Sequence, residues 1–171
     1  MVNQFSKEGI HILLGPTIGP IGLKAAGGRN WESFGNDPYL QGGVAAATIE
    51  GIQDEGIIAC VRHFIGNEQE TFRQVGEWDS QGWDKLSSSI SANIGDRAMH
   101  EVYLWPFADA VRAGVGSVMC SYNKVNHTHA CENSYILNYP LKEECGFQGF
   151  VVSDWGAQHN GRFSGFGGLE M

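Results

Sequence analysis

Apolar residues along this chain come in short unbroken runs rather than in alternation with polar ones. Ile10–Leu14 (IHILL), Ile57–Ile65 (IIACVRHFI), Val115–Tyr122 (VGSVMCSY) and Phe150–Ser153 (FVVS) are such runs. A strand with one wet face alternates, whereas a strand covered on both faces does not, so the runs predict parallel strands flanked by helices. Helix-like segments lie between them. Asn36-Asp37-Pro38 offers a capping side chain followed by an early proline, the expected start of a helix. In the YLQGGVAAATIEGIQDEG that follows, Leu40, Val44, Ala47, Ile49 and Ile52 are expected on one buried face, with Gly56 as the stop. Asp96 caps a second helix through MHEVYLWPFADAVRAG to Gly114, which Pro106 is expected to kink or split. A third helix, Ser134–Glu144, ends at Gly146 and contains Pro140. Strand–helix alternation predicts an α/β fold built on a parallel sheet. Arg73–Ser91 has no clear period, and a long loop in a compact domain is usually functional or mobile.

The polar residues at the strand ends carry the chemistry. The first run leads into Gly15-Pro16 and a glycine-rich stretch reaching Arg29-Asn30-Trp31-Glu32. The second carries Arg62-His63, the third ends in Ser121-Tyr122-Asn123, and the fourth in Ser153-Asp154-Trp155. In (β/α) barrels the carboxyl edge of the strands is where the active site is built. Val151 and Val152 then belong to the core, and Asp154 to the edge that faces a ligand.

Each of these residues also has a plainer reading. Asp154 fits a nucleophile, a base, a metal ligand or a helix cap. Trp155 beside it offers a platform for a sugar ring. His63 fits a core histidine as well as a ligand contact. Arg62 in an apolar strand needs a paired anion or several hydrogen bonds. Met119 and Tyr122 fit either the core or a pocket wall. Glu68 and Glu70 stand at helical spacing from Arg73, where an ion pair is the plain reading, and either could instead orient Arg62 or His63. His127-x-His129 resembles half of a metal site, but no Cys or carboxylate stands at ligand spacing, so no metal is expected.

Composition narrows the class. The 171 residues have a net charge of −8 and a sequence pI near 5.1, the wrong sign for a nucleic-acid partner. No apolar run approaches the roughly 20 residues of a membrane helix, and no membrane partner is expected. The start, MVNQFSKEG, has no apolar signal-peptide core. The four cysteines, at 60, 120, 131 and 145, follow no CxxC spacing. Cys60 and Cys120 sit in apolar strand-like runs and are expected to act as small hydrophobes, and the sequence leaves open whether Cys131 and Cys145 pair. Asn126-His127-Thr128 is a glycosylation sequon. These features together point to small-molecule chemistry, carbohydrate in particular.

Several blocks resemble one family, in order and over nearly the whole length: LLGP…GP, GGRNWESFGNDPYL, IEGIQ, RHFIGNEQE, DRAMHEVYLWPFADAVRAGVGSVMCSYNKVN and GFQGFVVSDWGAQH. The chain is similar to glycoside hydrolase family 3, and within it to the fungal β-glucosidases. That resemblance implies a (β/α)8 barrel and a retaining mechanism with Asp154 as nucleophile. It implies that Arg29, Arg62, His63, Met119 and Tyr122 line the pocket for the nonreducing glucose, with Trp155 packed against the same sugar. No cofactor is implied. The implied substrate is a β-glucoside or cello-oligosaccharide, and the implied setting is secretion, with a glycan on Asn126.

The chain departs from the family pattern at three places. Arg62 stands where the family usually has Lys, and the two are not interchangeable where geometry is fixed. Leu23 ends GPIGL where relatives often carry Arg, and Glu170 replaces an Asp in Gly168-Leu169-Glu170-Met171. A complete barrel takes about 250 residues, so an incomplete barrel is expected, without the first strands, the last strand and the second domain that supplies the acid/base. On the residues alone two other readings stay open: a sugar-binding chain without turnover, and a metal-dependent hydrolase resting on the histidines.

Overall fold

The computed structural model describes residues 2–171. Among them, four strands form one parallel sheet in the order β1 (Ile12–Leu13), β2 (Ile58–Phe64), β4 (Ser117–Cys120), β7 (Phe150–Ser153). A smaller sheet pairs β5 (Lys124–Val125) with β3 (Ser91–Ala92) in parallel and with β6 (Thr128–His129) antiparallel. All four predicted strands are present, β7 with the predicted bounds. The first is shorter than predicted, because Ile10 lies outside it and is 38% exposed.

The sheet has apolar side chains on both faces. Val61, Val118 and Val151 pack with Ile49, Ile52, Phe107 and Leu141 of the helical layer. The alternate positions Cys60, Met119 and Val152 form a second cluster with Ile12, Leu14 and Phe150 on the opposite face. Burial on both faces is why the strands read as continuous apolar runs.

The helices follow their local signals. Before α2 (Pro38–Gln53), the Asp37 carboxylate accepts from the Tyr39 and Leu40 amides at 2.8 and 3.2 Å. The predicted face of α2 is corrected by the structure. Leu40, Val44 and Ala47 are exposed, and the buried face is Gln41, Gly42, Ala45, Ile49 and Ile52. Ile49 and Ile52 are buried as expected, but helix α4 (Trp105–Arg112) lies so close to the first half of α2 that a β-carbon at Gly42 would overlap the Asp109 side chain.

The helix predicted from Asp96 divides as Pro106 required. It runs as α3 (Asp96–Ala98) and a wide π-type stretch (Met99–Tyr103), and Pro106 then sits in the first turn of α4, where no intrahelical donor is needed. The helix predicted at Ser134–Glu144 starts as α5 (Ser134–Ile136), and Pro140 lies inside a second π-type stretch, Leu137–Glu144. No described helix is long and apolar enough to cross a membrane.

The cysteine expectation is also corrected. The disulfide joins Cys120 to Cys131 with Cα atoms 5.3 Å apart, and Cys145 is free. The turn through β5 and β6 brings Cys131 back beneath the end of β4, a meeting that linear spacing does not reveal. Cys60 is a buried free thiol, as expected.

Candidate functional site

The carboxyl ends of β2, β4 and β7 converge. Asp154 is the first residue after β7, and its amide donates to the Cys120 carbonyl at 3.2 Å, which extends the β4–β7 ladder by one bond. Its side chain lies on the same face as Met119 and Val152, is buried, and accepts from the Trp155 amide through Oδ1 at 2.8 Å.

On β2 the pairing register shifts between Arg62 and Phe64, which leaves His63 as the extra residue of a bulge. A bulge re-aims side chains, and here Arg62 reaches toward Glu32 while His63 faces Asp154. Residues 16–19 run beside the end of β2, with Arg62 N–H to Pro16 O at 3.1 Å and Ile18 N–H to Arg62 O at 2.7 Å. This places the Gly19 carbonyl where it accepts from both the amide and the Nδ1–H of His63, each at 3.1 Å. A β-carbon at Gly19 would lie 2.8 Å from the His63 carbonyl, so this approach requires glycine.

His63 is fully buried, and its Nε2 faces Asp154 Oδ2 at 3.3 Å. The contact invites an ion pair, but burial and then the nearby Arg29 push the imidazole down to about 4, against the pull of Asp154. At neutral pH His63 is therefore the neutral Nδ1–H tautomer, because a carbonyl can only accept. Its Nε2 lone pair then confronts a carboxylate oxygen. Neither atom has a hydrogen-bond partner among the described residues, so the pair presents two acceptors to whatever donor enters the pocket.

The cationic wall has a residue that the candidate set omitted. Glu32 takes Arg29 Nε and Nη2 at 2.7 and 2.9 Å and lies 3.6 Å from Arg62 Nη2. This carboxylate is the anion that Arg62 was expected to need, and the bidentate Arg29 contact holds its pKa below the ordinary range. The i,i+3 spacing of Arg29 and Glu32 was a legible signal. Glu68 does not pair with Arg73 as expected, and it orients neither Arg62 nor His63. It accepts from the Ile21 and Leu23 amides, while Glu70 pairs with Arg73 at 2.7 Å.

Tyr122 is buried, and its hydroxyl donates to the Trp155 carbonyl at 2.8 Å. Burial, and then the charge of Asp154, push this phenol up to about 12. Met119, opposite Arg62 and Val152 in register, lies buried under the pocket. Trp155 is 65% exposed and free to meet a ligand. Asn126 lies apart in the β5–β6 turn, where its amide clamps the Ile94 backbone through N–H at 2.9 Å and C=O at 3.1 Å. The His129 ring lies on His159 at 3.8 Å, and no group of three metal-ligating side chains occurs among the described residues. A separate cleft of about 360 Å³, lined by His100, Trp105, Arg112, Glu144 and others, shares no residue with this cluster.

A buried carboxylate between guanidinium and imidazole groups, at the carboxyl edge of parallel strands, has the layout of a (β/α)8-barrel site. Residues 1–163 match the Glycosyl hydrolase family 3 N terminal domain, and the chain belongs to that family. It is 63% identical over 169 residues to Beta-glucosidase 1 of Saccharomycopsis fibuligera, covering 99% of this chain and 19% of that protein. It is 56% identical to Beta-glucosidase 1 of Aspergillus aculeatus, covering 100% of this chain and 20% of that protein. The solved family 3 β-glucosidase of Neurospora crassa superposes with a TM-score of 0.97 at 54% identity, over 99% of this chain and 20% of that one. The β-glucosidase 3B of Thermotoga neapolitana, solved with glucose, gives 0.87 at 35% identity over 98% and 22%. The chain thus spans about a fifth of the length of these relatives, and its four parallel strands are part of a (β/α)8-type barrel.

Proposed function

We propose that this chain is the nucleophile-bearing part of a retaining β-glucosidase acting on terminal β-D-glucosyl residues of glycosides and cello-oligosaccharides. The observation that carries the reading is Asp154, a buried carboxylate fixed through one oxygen, with its other oxygen free of donors and facing the pocket. In this mechanism Asp154 Oδ2 attacks the anomeric carbon as the glycosidic C–O bond breaks, and the aglycone oxygen takes a proton from an acid supplied by a part of the protein outside this chain. Water then attacks the glycosyl–Asp154 ester, aided by the same group as base, and releases glucose. Arg29 and Arg62, steadied by Glu32, offer charged donors to the sugar hydroxyls. The Nε2 of neutral His63 accepts from one of them, and Trp155 covers a ring face.

The relatives' names as β-glucosidases support the substrate class. The Cys120–Cys131 bond supports an oxidising, extracellular setting for the protein. A glycan on Asn126 fits the exposure of that residue in the β5–β6 turn, and it would take the place of the amide hydrogen that meets the Ile94 carbonyl. The test is intact-mass spectrometry after incubation with a dinitrophenyl 2-fluoroglucoside, whose leaving group needs no acid. One fluoroglucosyl adduct on Asp154 is expected. Asp154→Asn should abolish labelling and lower turnover by several orders of magnitude. An adduct elsewhere, or normal turnover in that variant, would sink the reading.

A further inference from the structure

Arg73 takes no part in the site as described, yet it stands behind it. Its guanidinium carbon lies 4.1 Å from the centroid of the Tyr122 ring. The fork is held from the other side by Glu77, through Nε and Nη2 at 3.0 Å each, and by Glu70 through Nη1 at 2.7 Å. Only 21% of the Arg73 side chain is exposed. A planar cation stacked on an aromatic face and locked by two carboxylates has little rotamer freedom left.

Its neighbours join both walls of the pocket. The Glu70 amide donates to the Gly27 carbonyl at 2.8 Å, at the turn that leads into Arg29. Gly28, at φ +106, passes so close that a β-carbon there would lie 2.9 Å from Glu70 Cγ. On the opposite wall, the Tyr122 hydroxyl holds the Trp155 carbonyl at 2.8 Å, and the Trp155 amide holds Asp154 Oδ1 at 2.8 Å.

We infer that Arg73 is a positioning residue for the nucleophile. It presses the Tyr122 ring into the one orientation in which the hydroxyl reaches Trp155, which in turn aims the Asp154 carboxylate. Through Glu70 the same guanidinium ties this wall to the turn carrying Arg29, and so sets the span between nucleophile and cationic arm. The inference rests on Asp154 acting as proposed above. A residue that merely fastened the 70–77 loop would have no reason to act through the Tyr122 hydroxyl.

The test is a double-mutant cycle in the longest natural form of the protein, using Arg73→Met, Tyr122→Phe and the pair. The rate of fluoroglucosyl labelling is one readout, and hydrogen exchange of the 154–157 amides is the other. Arg73→Met is expected to slow labelling roughly 3- to 30-fold and to have less than about a twofold effect in the Tyr122→Phe background. Arg73→Lys, which keeps the charge but loses the fork, should recover part of the rate and serves if Arg73→Met does not fold. Exchange at 154–157 should rise in Arg73→Met while exchange within β4 stays unchanged. Additive effects on labelling would overturn the role of Arg73 and leave the nucleophile standing. If the parent protein neither labels nor turns over, the activity reading fails, and exchange alone judges Arg73: unchanged protection at 154–157 overturns the inference.

Discussion

Replacing Cys120 and Cys131 with alanine, or reducing the bond between them, frees a loop with a sequence separation of 11. In the chain-entropy description, closing a loop of this size removes about 3 kcal/mol of freedom from the unfolded chain. The reduced protein should therefore lose about 3 kcal/mol of stability, or about 6–12 °C in Tm for a chain of this length. The site should feel the loss as well, because the Cys120 carbonyl holds the Asp154 amide and the next residue, Ser121, donates to Phe64 O at 2.7 Å. Equilibrium urea denaturation with and without reductant measures the difference, and the alanine pair should be insensitive to reductant. Peptide mapping without reduction should recover the segments around 120 and 131 joined. A loss below about 1 kcal/mol, or a link from Cys131 to Cys145, would refute the reasoning.

The other expectations concern charge. Glu32→Gln removes the charge that Arg29 and Arg62 share. At roughly 1.5–3 kcal/mol for charge-assisted hydrogen bonds, kcat/KM on an aryl glucoside should fall about 10- to 100-fold, and an unchanged value would contradict the bridging role. His63 and His129 are both held near 4 by burial, against about 6.5 when unfolded. The unfolded state therefore binds more protons between those values. Stability is full above about pH 6.5, falls on acidification toward pH 4 and levels below it, with His63 alone contributing on the order of 3 kcal/mol. The raised pKa of His100, held by the Asp96 carbonyl and Glu144, acts in the opposite sense. A urea midpoint that rises between pH 6.5 and 4.5 would refute the sign, and His129→Gln should flatten the profile.

Much of this was legible because local and tertiary demands agree. The runs that became β2, β4 and β7 are buried on both faces, so composition alone marked them, and the polar residues after each fell at the carboxyl edge of the sheet. Pro106 and Pro140 announced the breaks in the helices. What stayed hidden was set by partners distant in sequence. Helix α2 turns Gly42 and Ala45 inward because α4 lies close against it, leaving Leu40 and Val44 outside. Cys131 returns to Cys120 only once the β5–β6 turn has formed. The tautomer of His63 follows from a Gly19 carbonyl 44 residues away. Glu32 was readable from its spacing to Arg29, but its reach to Arg62 was not.

The last residues of the chain lie along β7. Glu170 and Met171 donate to the Val151 carbonyl, the Met171 carbonyl accepts from Ser153, and the Glu170 carboxylate takes the Val151 amide while pairing with Lys142. The strand that leads to Asp154 thus has its outer backbone groups engaged, and the Glu170 carboxylate joins it to Lys142 in the stretch Leu137–Glu144.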